Sequence, residues 1–193
     1  MRWTRAADLA AKVALLGLLA SALIWPDLSG IKGKAAGARL VVYPLGAVVV
    51  PLWWFVYGRR RAARRGAGPS FPWTADLLVT LPWLLDLLGN RFNLFDSVSW
   101  WDDVMHLLNW FLLTAGALWA WSPPRSVSRG LVVMCGLGFG VTAAVLWELG
   151  EYAAFVRHSA ELTTAYTDTL GDLALGSVGA LLAGLAVARL RDA

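Results

Sequence analysis

Apolar positions in this chain come in long, nearly unbroken blocks, and the polar positions crowd into short gaps between them. Six blocks stand out, at residues 6–25, 40–57, 71–88, 104–121, 131–155 and 168–190. Each approaches the ~20 residues a helix needs to cross the hydrocarbon core. Strand alternation is absent, and a lone apolar segment in lipid must satisfy its own backbone, so every block predicts a helix. The expected fold is all-α: a polytopic membrane bundle of about six transmembrane helices, filling residues 1–193 as one integral domain.

Polar residues inside the blocks need separate accounts. Lys12 lies near one end of the first block and is expected to snorkel to the interface. The second carries Pro44 and Pro51, and the third carries Asp76 and Asp86. Asp76, two residues after Thr74, reads as part of a helix N-terminal cap. Asp86 is expected either to join a cluster at its own end of the bundle or to pair with Arg91. The first block also resembles a secretory signal, with Arg2 and Arg5 ahead of an apolar run and Ala20-Ser21-Ala22 after it. Asp8 and Lys12 flank that run poorly and the apolar stretch continues through Trp25, so a retained span is the reading preferred. Cleavage would leave five spans without reorienting them.

Composition narrows the class. Of 193 residues, 58% are hydrophobic and 16% charged, whereas a soluble domain carries roughly 25% charged residues. No separate soluble domain fits. The net charge of +4 would ordinarily raise nucleic-acid binding, but the basic residues occupy gaps between apolar runs and so report topology. With the N-terminus inside, cytoplasmic segments hold Arg2, Arg5, Lys12, Arg59, Arg60, Arg61, Arg64, Arg65, Arg125, Arg129, Arg189 and Arg191. Outer segments hold Lys32, Lys34, Arg39, Arg91 and Arg157. The expected topology is therefore N-in and C-in, with residues 59–69 as a loop between helices. Trp25, Trp100, Trp101 and Trp147 fall at expected outer ends, and Trp53, Trp54, Trp73, Trp119 and Trp121 at inner ends, the levels an amphipathic indole favours. The lone Cys135 has no disulfide partner and reads as a small packing residue.

Three polar constellations share the outer side. Asp102 and His106 are four apart and so share a helix face, with Asn109 almost a turn deeper. The plain alternative is a helix N-cap at Asp102 or Asp103 and a core histidine. Glu148 and Glu151 are neighbours near a helix C-terminus, where negative charge opposes the macrodipole. A cation is expected to compensate them, Arg91, Arg157, His106 or a metal, with solvation at the interface as the plain alternative for Glu151 and less so for Glu148. Asp168 and Asp172 repeat the i, i+4 spacing. An N-cap explains Asp168 but not Asp172, and Gly176 and Gly179 beyond it permit close helix approach. Asn90, Asn93, Asp96 and His158 are expected to be solvated. Five carboxylates and one imidazole at one membrane level cannot all ionise in low dielectric without a counter-charge. Either a hard divalent cation (Mg²⁺, Mn²⁺ or Ca²⁺, with Zn²⁺ also compatible) is held by Asp102, His106, Glu148, Glu151, Asp168 and Asp172, or the cluster shares protons as a relay.

In order and spacing, Asp102-x-x-x-His106, Glu148-x-x-Glu151 and Asp168-Thr169-x-x-Asp172 resemble the YjdF-like family of uncharacterised bacterial inner-membrane proteins, over roughly residues 100–183. More distantly they resemble VanZ-like proteins, known through glycopeptide resistance. Two features depart from the pattern. Tyr166-Thr167 stands where the family has a Trp directly before the aspartate, and Asp103 adds an acid beside Asp102. The resemblance implies a multi-pass helical protein of the bacterial plasma membrane, with these six residues as its functional cluster.

The leading functional expectation is a metal site acting on an envelope lipid or glycolipid head group at the outer leaflet, without nucleic-acid partners. The alternatives are a proton- or cation-coupled transporter built on the same carboxylates, and a non-catalytic envelope or resistance factor whose acids only hold helices together.

Overall fold

A computed structural model describes residues 2–64, 66 and 70–191. It contains six long helices: α1 (Arg2–Ile24), α2 (Ala36–Trp53), α3 (Trp73–Arg91), α4 (Trp101–Trp121), α5 (Arg129–Ala154) and α6 (Ala165–Leu190). There is no strand among the described residues. Helix α2 does not end at Trp53. It passes through a π turn at Trp54–Gly58 into Arg59–Arg64, so Arg59, Arg60, Arg61 and Arg64 are helical and not part of a loop. Arg65 and residues 67–69, expected in that loop, lie outside the described residues. Each apolar block forms a helix, and each helix begins two to four residues earlier than the block except α3, which begins two later.

Five of the six are long and apolar enough to cross a membrane, and the exception is α3. Its position explains its composition. It packs against α1, α2 and α4, and Asp76, Thr80 and Asn90 are buried there. A helix enclosed by others can carry polar groups that a lipid-facing helix cannot.

Lys12 does not snorkel. It turns inward, with Nζ 2.6 Å from Asp8 Oδ1 and 2.7 Å from Asp76 Oδ2. Both aspartates are buried, and the Thr80 hydroxyl reaches Asp8 Oδ1 at 3.5 Å. Asp76 is therefore not a cap. Pro72 holds the N-cap position and no side chain caps α3. The far oxygens, Asp8 Oδ2 and Asp76 Oδ1, find no protein partner. This ion cluster ties α1 to α3, so the first helix is an integral part of the bundle.

The other half is organised by α6, whose buried stripe is Gly176, Gly179, Ala180, Ala183 and Gly184. A Cβ on Gly179 would lie 2.2 Å from the Leu107 carbonyl oxygen of α4, and one on Gly176 would lie 2.6 Å from the Trp110 ring. The Gly176 and Gly179 pair thus does set close helix approach. Gly179→Ala is expected to destabilise the protein by roughly 1–3 kcal/mol, because rigid backbone must give way. Gly138→Ala on α5, where a Cβ meets nothing within 4 Å, should be neutral or stabilising. Thermal unfolding in detergent compares the two, and equal effects would mean α4 and α6 do not approach this closely.

The helices alternate in direction and leave the bundle with two distinct ends. At one, the Arg5 guanidinium lies 5.2 Å over Trp73, and Arg191 donates to the Val127 carbonyl. At the other, Lys34 pairs with Asp96 at 2.6 Å. Cys135 is exposed on α5, not packed inside.

Candidate functional site

At the end of the bundle holding Lys34 and Asp96, α4 begins with Trp100 as N-cap and no side-chain cap. Neither Asp102 nor Asp103 is therefore spent on capping. Both lie in the first turn, where the helix dipole favours an anion, but they point differently. Asp103 is exposed, whereas Asp102 shares the inward face with His106. Asp168 likewise occupies the first turn of α6 and is not its cap, which is Thr164.

Around His106 the three helices converge. Nδ1 is 3.0 Å from Asp172 Oδ1 and 3.5 Å from Asp102 Oδ1, and the Asp102 carbonyl lies 3.2 Å away. On the other edge of the ring, Nε2 is 3.6 Å from Glu148 Oε1. Thr169 donates to the second Glu148 oxygen at 3.3 Å. The imidazole is thus held between carboxylates on both edges, which answers how a glutamate is tolerated at the C-terminal end of α5. One ligand atom each from Asp102, His106 and Asp172 all lie within 4.8 Å of one another. Ligands of one divalent ion at 2.0–2.6 Å stand about 3–5 Å apart, so the spacing of these three atoms is compatible with one face of a coordination shell.

All six of the expected residues line one pocket of about 340 Å³. The structure does not bring them together equally. Glu151 and Asp168 stand further out. Arg39 and His106 share the pocket with Glu151 and Asp168. Asn109 lines the pocket too, with its buried carbonyl oxygen unpartnered. Trp147 packs on Trp83 (5.9 Å between centroids) and forms part of the wall. His158 and Arg157 are exposed as expected of surface residues, and neither compensates the glutamates.

The opposite wall comes from residues the motifs did not flag. Arg39 Nε lies 3.1 Å from Asp86 Oδ2 and 3.0 Å from the Tyr43 oxygen. The Tyr43 hydroxyl donates to the same Asp86 oxygen at 2.5 Å, and Asn90 donates to the Asp86 carbonyl at 2.9 Å. Asp86 therefore pairs with Arg39, not Arg91, and Asn90 is a buried structural partner, not a solvated loop residue, while Asp96 is exposed as expected although it pairs with Lys34. The available signal was spacing: Arg39 with Tyr43, and Asp86 with Asn90, each sit four apart on one helix face.

The pocket holds eight carboxylates (Asp86, Asp96, Asp102, Glu148, Glu151, Glu161, Asp168, Asp172) against Lys34, Arg39 and the His106 ring. That excess is felt at the rim, where partial burial and then the nearby Asp168 carboxylate push Glu161 above the ordinary glutamate range. An electronegative pocket of this kind attracts cations. Its two fixed cations are each already paired with a carboxylate, Arg39 with Asp86 and Lys34 with Asp96.

No curated protein and no solved structure matches the chain. The family model described as "Predicted membrane protein (DUF2238)" matches residues 11–193. With nearly its whole length matched, the chain belongs to that membrane-protein family.

Proposed function

We propose that the pocket binds one divalent cation through Asp102, His106 and Asp172, with Glu148 beside them, and acts on an envelope lipid head group. The supporting observation is the convergence of three ligand atoms within 4.8 Å, facing a wall that carries Arg39 and Lys34. The cation would polarise a phosphoryl or ester oxygen and lower the pKa of a bound water. Arg39, held by Asp86 at 3.1 Å, would hydrogen-bond the head group, a role suited to a guanidinium's several donors. Mostly oxygen ligands with one imidazole favour Mg²⁺ or Mn²⁺, and remain compatible with Ca²⁺ and Zn²⁺. Six spans with both termini in the cytoplasm, following the distribution of Arg and Lys, put the site at the outer face of the bacterial plasma membrane. Kinship with the YjdF-like proteins on the three motifs belongs to the same proposal.

Metal analysis of the purified protein is the test. One divalent ion per chain, removed by chelator and restored on addition, is the expected result. No stoichiometric ion, as purified or after reconstitution, would sink the proposal.

One observation favours a second reading, proton-coupled transport. Asp8, Lys12 and Asp76 form a buried charged group remote from the pocket, and Asp76 and Asp86 on α3 are ten residues, or about 15 Å, apart. Proton movement in proteoliposomes that disappears with Asp76→Asn would favour transport over head-group chemistry.

A further inference from the structure

The half of the bundle away from the pocket encloses a charged group of its own. Asp8 and Lys12 come from α1 and Asp76 from α3, and both carboxylates lie within hydrogen-bond distance of one nitrogen, Lys12 Nζ, at 2.6 and 2.7 Å. Asp8 and Asp76 are buried, at 0% and 2% exposure. With both acids ionised, two negative charges face one positive charge. An uncompensated charge held away from water is among the most costly groups a fold can bury.

The other ionisable residues on the packed helices are placed elsewhere. On α1, Arg2 and Arg5 are exposed, and Arg5 lies over Trp73. On α2, Arg39 and Tyr43 are engaged with Asp86, while Arg59, Arg60 and Arg64 of its helical extension are exposed and Arg61 lines a cavity with Trp53 and Trp121. On α3, Asp86 and Arg91 lie more than two turns beyond Asp76. On α4, Asp102, Asp103 and His106 occupy the first two turns, at the pocket end.

The second observation lies in the oxygens that Lys12 does not hold. Asp8 Oδ2 and Asp76 Oδ1 are shut off from solvent and have no protein partner. Each is an acceptor that nothing donates to, so the group lacks a donor as well as a positive charge. A proton supplies both. Bound to one of these oxygens, it removes the excess charge and turns an unmet acceptor into a donor. A metal ion fits less well, because the Lys12 ammonium already touches both carboxylates and like charges repel. Two carboxylates that share a site keep one proton between them, and that proton belongs to the pair.

We infer that Asp8, Lys12 and Asp76 form a proton-binding site, in which the two carboxylates share one proton beside the ammonium. The site is separate from the metal pocket and independent of the head-group reading. The transport reading needs such a site, but a proton can be held here without being moved.

The test is infrared spectroscopy of the full chain in phosphatidylglycerol vesicles at neutral pH, in ordinary and heavy water. A protonated carboxyl has a C=O band that ionised carboxylates lack, and the band shifts in heavy water. Carbon-13 at the aspartate side-chain carboxyl moves the band of an aspartic acid and leaves that of a glutamic acid. The parent should show an aspartic band, and Asp8→Asn and Asp76→Asn should each lose it. Either substitution leaves one carboxylate facing Lys12, a balanced pair that needs no proton. Acids that only tie α1 to α3 as ions would give no such band in the parent. Should a single variant misfold, Lys12→Met/Asp8→Asn/Asp76→Asn, which buries no charge here, gives the same readout. No aspartic band in the parent, or a band that the variants retain, overturns the inference. A band lost in only one single variant overturns the sharing. Proton movement in proteoliposomes is scored separately. The band without proton movement leaves the proton site standing and the transport reading lost. Proton movement without the band gives the reverse.

Discussion

Lys12→Met is expected to destabilise the bundle by about 3–5 kcal/mol, the cost of removing one partner from a buried ion group. Lys12 bridges two carboxylates from different helices at 2.6 and 2.7 Å, and both aspartates are shut off from solvent. Without the ammonium, two buried carboxylates remain with part of their hydrogen-bonding capacity already unmet. The loss therefore exceeds that of a surface pair, which is worth ~0–1 kcal/mol. Thermal unfolding followed by size exclusion in detergent measures it. The triple variant Lys12→Met/Asp8→Asn/Asp76→Asn should recover most of the stability, since the penalty lies in uncompensated charge and not in lost contacts. A Lys12→Met protein as stable as the parent would mean that this cluster does not join α1 to α3.

His106→Ala is expected to lower affinity for a divalent cation by about a hundredfold or more, since it removes the nitrogen ligand around which the acids are arranged. Asp172→Asn should act nearly as strongly, because Asp172 is the carboxylate nearest the ring, at 3.0 Å. Asp103→Asn is the informative control. It stands next to Asp102 in sequence but is exposed and absent from the pocket, so its affinity should match the parent. Calorimetric titration with Mn²⁺ at fixed pH checks all three, and binding should weaken as pH falls because the ligands must be deprotonated. An Asp103 variant that loses affinity as much as the Asp172 variant would relocate the site. If His106→Ala and Asp102→Asn unfold the protein instead, the cluster holds helices together and does not bind a ligand.

What the linear chain determined is whatever helical geometry carries within one segment. A helix returns to the same face every three to four residues. That placed Asp102 with His106 and Asp168 with Asp172, and it gave α6 its smooth Gly176–Gly179 side. The length and polarity of the apolar runs determined the six helices and their approximate bounds. Six of the residues that share the pocket were thus legible before any packing was known, whereas Arg39, Tyr43 and Glu161 beside them were not.

What only the tertiary structure decided is how each helix is rotated about its axis and which neighbour it meets. One residue is a turn of about 100°, so spacing favoured Asp102 over Asp103, and the packing of α4 against α6 decided that the Asp102–His106 face points inward. Arg39 reads as a topology signal until α2 is laid on α3 and brings it to Asp86, 47 positions away in sequence. Lys12 looks like a snorkelling side chain until α3 presents Asp76 beside it. The same packing made α3 an interior helix able to carry charge. It also left α2 and α5 apart, and that gap is an apolar groove, a feature with no linear signature because its walls come from helices that never touch closely.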